Sequence, residues 1–185
     1  MIEKMELSLS VQNIILIGFM AAGKSSVGRL LAQELDWDFL DTDTKIEQVT
    51  GLKIPDLFQK YGEDRFRSEE NLIVKKLVGM TKTIIATGGG TVLSSHNWNR
   101  LGKIGILIHL YVPLEIALAR VKKRQERPLL TKSRLEIAQL WKERLDIYNK
   151  ADITIDTSNK EIATIVAEIL AQVMKGGYNN NATEN

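Results

Sequence analysis

The chain predicts a three-layer α/β/α fold on a five-stranded parallel sheet, and three observations lead there. Five short apolar runs, near residues 13, 37, 83, 105 and 153, alternate with stretches whose apolar residues keep helical spacing. That is the pattern of strands joined by helical crossovers. Runs such as Ile14-Ile15-Leu16-Ile17 and Thr83-Ile84-Ile85-Ala86 are apolar at successive positions, as strands covered on both faces are. Finally, 185 residues with 44% hydrophobic and 26% charged side chains suit one domain with a well-buried core. No linker or repeat divides the chain, so a single domain over 1–185 is expected, with its core over 12–175.

Taken in order, residues 1–11 read as a loosely ordered lead-in. The first strand, Asn13–Ile17, leads to a helix over Lys24–Leu35 with Val27, Leu30, Leu31 and Leu35 at helical spacing. A second strand, Trp37–Asp41, ends in Asp41-Thr42-Asp43. Ligands of parallel α/β folds bind beyond the carboxyl ends of strands, which puts both aspartates at the working edge. A helix starting near Asp43 ends near Gly51. Pro55 suits a first helical position, so a short helix over Asp56–Tyr61 is expected, stopped by Gly62. The longer helix that follows carries the apolar stripe Phe66, Ile73, Val74 and Leu77. Glu63, Arg67 and Glu70 share one of its faces at i, i+4 and i+7. Residues 42–70 thus form a helical insert.

The third strand, Thr83–Thr87, runs into Gly88-Gly89-Gly90, which permit an approach to backbone that a Cβ would block. Next come a helix over Ser94–Leu101, a strand over Gly105–Val112 and a helix over 114–124 with Pro113 in its first turn. The basic segment 122–134 reads as a lid. Ser133 and Glu136 make a capping box for a helix that aligns Ile137, Trp141, Arg144 and Tyr148. The last strand, Ile153–Thr157, precedes a helix striped by Ile162, Ile165, Val166, Ile169, Leu170 and Val173. Residues 177–185 are expected to form a disordered tail.

Composition removes several classes of function. There is no cysteine, which excludes disulfides, thiolate catalysis and cysteine zinc sites. Only His96 and His109 are present, and both are expected to be structural. A net charge of +2 implies no nucleic-acid partner, and the basic segment lacks interleaved aromatic residues. No run reaches the ~18 apolar residues of a membrane span. The first residues, with early acids and no apolar core, do not read as a signal peptide, so a cytoplasmic protein is expected.

The chemistry starts at Gly18-Phe19-Met20-Ala21-Ala22-Gly23-Lys24-Ser25, which fits the phosphate-binding motif G-x-x-x-x-G-K-[ST] between a strand and a helix. Backbone N–H groups of such a loop turn inward around phosphate oxygens, and the helix N-terminus adds its dipole. Ala21, Ala22, Gly23, Lys24, Ser25 and Ser26 form the expected ATP-binding set. Lys24 would reach the β- and γ-phosphates, and the Ser25 hydroxyl would sit on Mg²⁺. The loop alone leaves GTPases, motor ATPases and small-molecule kinases open. The chain has no N-K-x-D guanine reader and no apolar strand ending in Asp-Glu, and its compact size with a helical insert and an arginine-bearing lid fits a small-molecule kinase.

Six segments together resemble the shikimate kinases from about Asn13 to Val173: G-F-M-A-A-G-K-S-S-V-G-R at 18–29, D-T-D at 41–43, F-R-S-E-E at 66–70, G-G-G at 88–90, R-P-L-L at 127–130, and Arg144 with Tyr148. The resemblance implies a P-loop kinase fold and transfer of the ATP γ-phosphoryl group to the 3-hydroxyl of shikimate, on the route to chorismate, by a monomeric enzyme using Mg²⁺. It implies that Arg67 and Arg144 bind the shikimate carboxylate, which suits the two parallel donors of a guanidinium. Asp43 would orient the attacking hydroxyl as candidate base, Asp41 would stand near Mg²⁺, and Glu70 would support Arg67. Gly88, Gly89 and Gly90 would offer N–H groups to substrate, Arg127 would close on the phosphates, and Arg120 would lie near adenine. Plainer roles are a surface ion pair for Arg67, a helix cap for Asp41 and a tight turn for the glycines. Ala21 and Ser26 stand where many relatives have glycine and threonine, and alanine is tolerated there if its φ is negative. Another P-loop kinase, for gluconate or a nucleoside monophosphate, and an idle binding domain of this family are the alternatives.

Overall fold

The computed structural model describes residues 11–122 and 133–176. The expected lid, with Arg127, falls outside the described residues for 123–132, as do the lead-in over 1–10 and the tail over 177–185. Five strands form one wholly parallel sheet: β1 (Asn13–Ile17), β2 (Asp38–Asp41), β3 (Thr83–Ala86), β4 (Ile106–Tyr111) and β5 (Ile153–Asp156), in the order β2-β3-β1-β4-β5. The helices are α1 (Lys24–Leu35), α2 (Thr42–Thr50), α3 (Ile54–Lys76), α4 (Ser95–Ile104), α5 (Leu114–Lys122), α6 (Arg134–Tyr148) and α7 (Ile162–Met174). A 3₁₀ turn over Thr91–Leu93 was not foreseen. Helices cover both sides of the sheet, so every residue of β1 and β3 is buried, which explains their unbroken apolar runs.

Strand register brings the loops to one level. Leu16 lies opposite Ala86, and Ala86 lies opposite Asp41. Two residues beyond Leu16 is Gly18, and two beyond Ala86 is Gly88, so the phosphate loop, the glycine run and the D-T-D segment leave the sheet side by side. From β1 the chain passes to β2 at one edge, and from β3 it crosses back over β1 to β4 on the other side, and such a switch point opens a crevice at the carboxyl edge.

The opposite edge is closed by Asn13. It is fully buried, its Nδ2 donates to the carbonyls of Met80 and Ile104 at 2.7 Å each, and its Oδ1 accepts from Thr83 N–H at 3.1 Å. One amide thus satisfies groups from three segments where the strands begin.

The two helices expected either side of Gly62 run as α3, bent at that residue, whose φ of 78° and ψ of 179° are not helical. A glycine accepts that conformation without the penalty a Cβ brings. Below it, Ile46, Leu57, Phe66 and Ile73 make a small core of their own, so the helical insert has apolar support separate from the main core. Ser133 caps α6 by the full capping box.

Candidate active site

The phosphate loop departs from β1 through Gly18 at φ 141° and reaches α1 through Gly23 at φ 94°. A Cβ on Gly18 would also stand 2.5 Å from the Leu110 carbonyl oxygen of β4, so no larger residue fits there. Ala21 does not meet the condition under which alanine is tolerated there: its φ is 57°, left-handed rather than negative. The loop must reverse direction between strand and helix, and the reversal imposes this conformation whichever side chain is present. Lys24 Nζ donates to the carbonyls of Gly18 at 2.8 Å and Phe19 at 2.9 Å, so the ammonium curls over the loop mouth.

Ser25 Oγ donates to Asp41 Oδ2 at 2.5 Å, while Asp41 Oδ1 accepts from the N–H groups of Asp43 and Thr44 at 3.1 and 3.2 Å. Asp41 is therefore a helix cap with one oxygen and a neighbour of the phosphate loop with the other. Capping begins α2 at Thr42 rather than Asp43.

The glycine run is hemmed by one functional side chain per residue. A Cβ on Gly88 would collide with Asp43 Oδ1, and one on Gly90 would collide with Arg67 Nη1. A Cβ on Gly89 would lie 3.4 Å from Arg144 Nη1 and 3.6 Å from the Gly18 carbonyl oxygen. Asp43, Arg67 and Arg144 thus converge on a bare stretch of backbone that also touches the phosphate loop. Gly88 N–H is not directed to a ligand; it donates to Thr42 Oγ1 at 2.8 Å. The N–H groups of Gly89 and Gly90 make no such bond among the described residues.

Arg67 makes both ion pairs that a purely structural reading expects. Its Nη1 donates to Glu70 Oε2 at 2.5 Å, and its Nε and Nη2 donate to Glu63 Oε1 at 3.1 and 2.8 Å. Burial works against its charge, but Glu70 and Glu63 outweigh this and hold its pKa above the ordinary arginine value. Glu70 is buried and accepts from Thr91 Oγ1 at 2.6 Å, so it fixes one side of the guanidinium. Arg144 is buried with its Nε lacking a hydrogen-bond partner, and its guanidinium carbon is 5.9 Å from the Phe19 ring centre. A buried charge with an unmet donor is costly, and an anion in the pocket would relieve that cost.

On the other side of the loop, Arg120 donates to the Ala21 carbonyl and Thr157 Oγ1 at 3.2 Å and to the Thr157 carbonyl at 2.7 Å. It borders a cavity of about 350 Å³ lined also by Ala22, Gly23, Ser26, Lys160 and Ile162. His109 lies under the loop, and burial together with the nearby Lys24 charge pushes its pKa down to about 4. It is neutral near pH 7, as a structural histidine should be. Thr42, Thr91, Lys160 and Thr157 were not singled out from sequence. Thr42 lay within a recognised motif, but nothing local marked the other three.

A strand–loop–helix phosphate cradle whose mouth opens onto a small basic pocket with its own carboxylate belongs to the P-loop kinases of small molecules. Comparison with known proteins narrows the class. The shikimate kinase family model matches residues 20–174, and the chain belongs to that family. A shikimate kinase of Persephonella marina is 42% identical over 163 residues, 88% of this chain and 99% of the relative. A shikimate kinase from Acinetobacter baumannii, solved in complex with shikimate, is 35% identical with a TM-score of 0.86, covering 91% of this chain and 96% of that one. The shikimate kinase of Aquifex aeolicus is 39% identical with a TM-score of 0.79, covering 89% and 96%.

Proposed function

We propose that this chain transfers the γ-phosphoryl group of ATP to the 3-hydroxyl of shikimate, giving shikimate 3-phosphate and ADP in the biosynthesis of chorismate and aromatic amino acids. The observation that carries the reading is the convergence of Arg67, Arg144 and Asp43 on Gly88–Gly90 beside the phosphate loop. Two guanidinium groups suit a carboxylate, and a carboxylate next to them suits a hydroxyl. Neither gluconate nor a nucleoside monophosphate combines one carboxylate with a compact polyhydroxylated ring, and retention of Lys24 argues against an idle binding domain.

Phosphoryl transfer asks the protein mainly for positioning and charge. Lys24 would exchange the carbonyls of Gly18 and Phe19 for β- and γ-phosphate oxygens. Arg67 and Arg144 would hold the substrate carboxylate, Asp43 would accept from the 3-hydroxyl and aim it, and the N–H groups of Gly89 and Gly90 would fix the ring's edge. Arg127 would close over the phosphates and Arg120 would border the adenine. Among the described residues no cluster of three or more His, Asp or Glu could hold a metal by itself. Mg²⁺ needs no such cluster, since it takes much of its shell from water and phosphate. The adjacent Ser25 and Asp41 oxygens fit that role, and the ion would neutralise charge on the β- and γ-phosphates. We take the enzyme to be a cytoplasmic monomer; among the described residues no helix is long and apolar enough to cross a membrane.

A coupled assay for ADP release tests the reading, with shikimate, gluconate and a nucleoside monophosphate offered in turn. Turnover with shikimate alone is expected, abolished by Lys24→Met. Turnover with gluconate or the nucleotide and none with shikimate would overturn it.

A further inference from the structure

Tyr148 has no part in the steps above, yet it is buried and its hydroxyl donates to the Gly89 carbonyl oxygen at 2.5 Å. It stands one turn after Arg144 on α6, and a Cβ on Gly89 would lie 3.7 Å from its oxygen and 3.4 Å from Arg144 Nη1. The same helix face therefore carries a carboxylate-binding arginine and a tie to the backbone that this arginine adjoins. We infer that Tyr148 is a positioning residue for the acceptor, its hydroxyl fixing the Gly89–Gly90 peptide so that the N–H of Gly90 faces the side of Arg67 and meets the ring's edge while Arg67 and Arg144 hold the carboxylate. This rests on the proposed shikimate reading.

Peptide geometry sets the direction of that N–H. In a planar trans peptide the C=O and the following N–H point in opposite directions. Holding the Gly89 carbonyl on the α6 side therefore aims the Gly90 N–H away from α6, toward the side where Arg67 lies against Gly90. Glycine restricts its own φ and ψ less than any other residue, so three in a row cannot hold that peptide plane unaided. Neighbouring peptides are restrained as well: Gly88 O accepts from Thr91 N–H at 3.2 Å, and Gly90 O accepts from Leu93 N–H at 3.1 Å. Tyr148 supplies the restraint for the peptide between them.

Its surroundings keep the hydroxyl a donor. Burial pushes its pKa up to about 12, with Arg144 and Arg67 pulling the other way, so it carries its proton throughout the working range. The His109 ring packs at 5.2 Å from the Tyr148 ring, and no rotation of the phenol is needed to reach Gly89.

The test is steady-state kinetics of Tyr148→Phe, with thermal melts alongside. Losing one positioning hydrogen bond should raise the shikimate KM about five- to tenfold, with ATP KM and kcat within about twofold. A purely structural tyrosine would lower Tm and leave the shikimate KM unmoved. Ile169→Val, a core variant on α7, supplies the matching control, since it lowers Tm without touching the pocket. Tyr148→Leu should show at least the same rise in shikimate KM. An unchanged shikimate KM in Tyr148→Phe, or a rise in that variant shared equally by the ATP KM, overturns the role. A rise in Tyr148→Leu that Tyr148→Phe lacks assigns positioning to the ring and overturns the role given to the hydroxyl. A wild-type protein inactive with shikimate overturns the functional reading itself, and this inference falls with it.

Discussion

Replacing Ala21 with glycine should stabilise the protein without altering its chemistry. Ala21 sits at φ 57°, where an L-residue pays about 1–2 kcal/mol because its Cβ crowds the following carbonyl oxygen. Glycine removes that strain, but the freer unfolded chain takes back about 0.4–1 kcal/mol. The net gain is about 0.5–1 kcal/mol. At about 2–4 °C per kcal/mol for a domain of this size, Tm should rise by about 1–4 °C. The carbonyl of Ala21 still accepts from Arg120, so the ATP KM should move by no more than about twofold. Ala21→Val, which brings a β-branched side chain to the same φ, should lower Tm. Calorimetry of all three proteins with and without ADP provides the assay. Lys82, exposed at φ 52°, is an internal reference, and Lys82→Gly should gain by a similar amount. If Ala21→Gly lowers Tm while Lys82→Gly raises it, packing of the Ala21 methyl outweighs its backbone strain and the reasoning fails.

Three further variants probe the acceptor pocket, the sheet and the histidine. Arg67→Ala removes a charge-assisted fork worth about 1.5–3 kcal/mol, so the shikimate KM should rise about 10- to 100-fold while ATP binding measured by calorimetry stays intact; collapse of ATP binding would show that the helical insert is misplaced. Asn13→Ala takes the partner from a buried carbonyl and a buried N–H, those of Ile104 and Thr83, and from the half-buried Met80 carbonyl, so urea unfolding should show a loss of about 3 kcal/mol with both KM values unchanged. His109 has a folded pKa of about 4 against an ordinary 6.5, so its neutral form is the one the fold accommodates. Its contribution is complete above about pH 6.5 and declines as the pH falls toward 4, with about 2 kcal/mol lost between pH 7.5 and 5. His109→Gln should flatten that part of the stability profile, and an unchanged slope would refute the assignment.

Which features were legible in the sequence follows from how far their causes reach along the chain. The strands, the helices and the phosphate loop rest on local patterns, so Asn13–Ile17 and Lys24–Leu35 appear at their expected bounds. Gly62 was legible as a break, although α3 continues through it as a bend because Leu57 and Phe66 on either side share one small core. The φ of Ala21 was left open because φ at a loop position depends on the path between two elements, not on the residue. The chemistry of the site was carried by motifs, but its geometry is set by register. Nothing within residues 88–90 reveals that Gly88 spends its N–H on Thr42, or that Gly89 is tied to a phenol 59 residues away. Those ties exist because Leu16, Ala86 and Asp41 align across the sheet and because α6 returns over the strand ends. A glycine run admits many backbone conformations, so what the sequence supplies there is permission. The Thr42 and Tyr148 hydroxyls and the Thr91 N–H supply the choice among them.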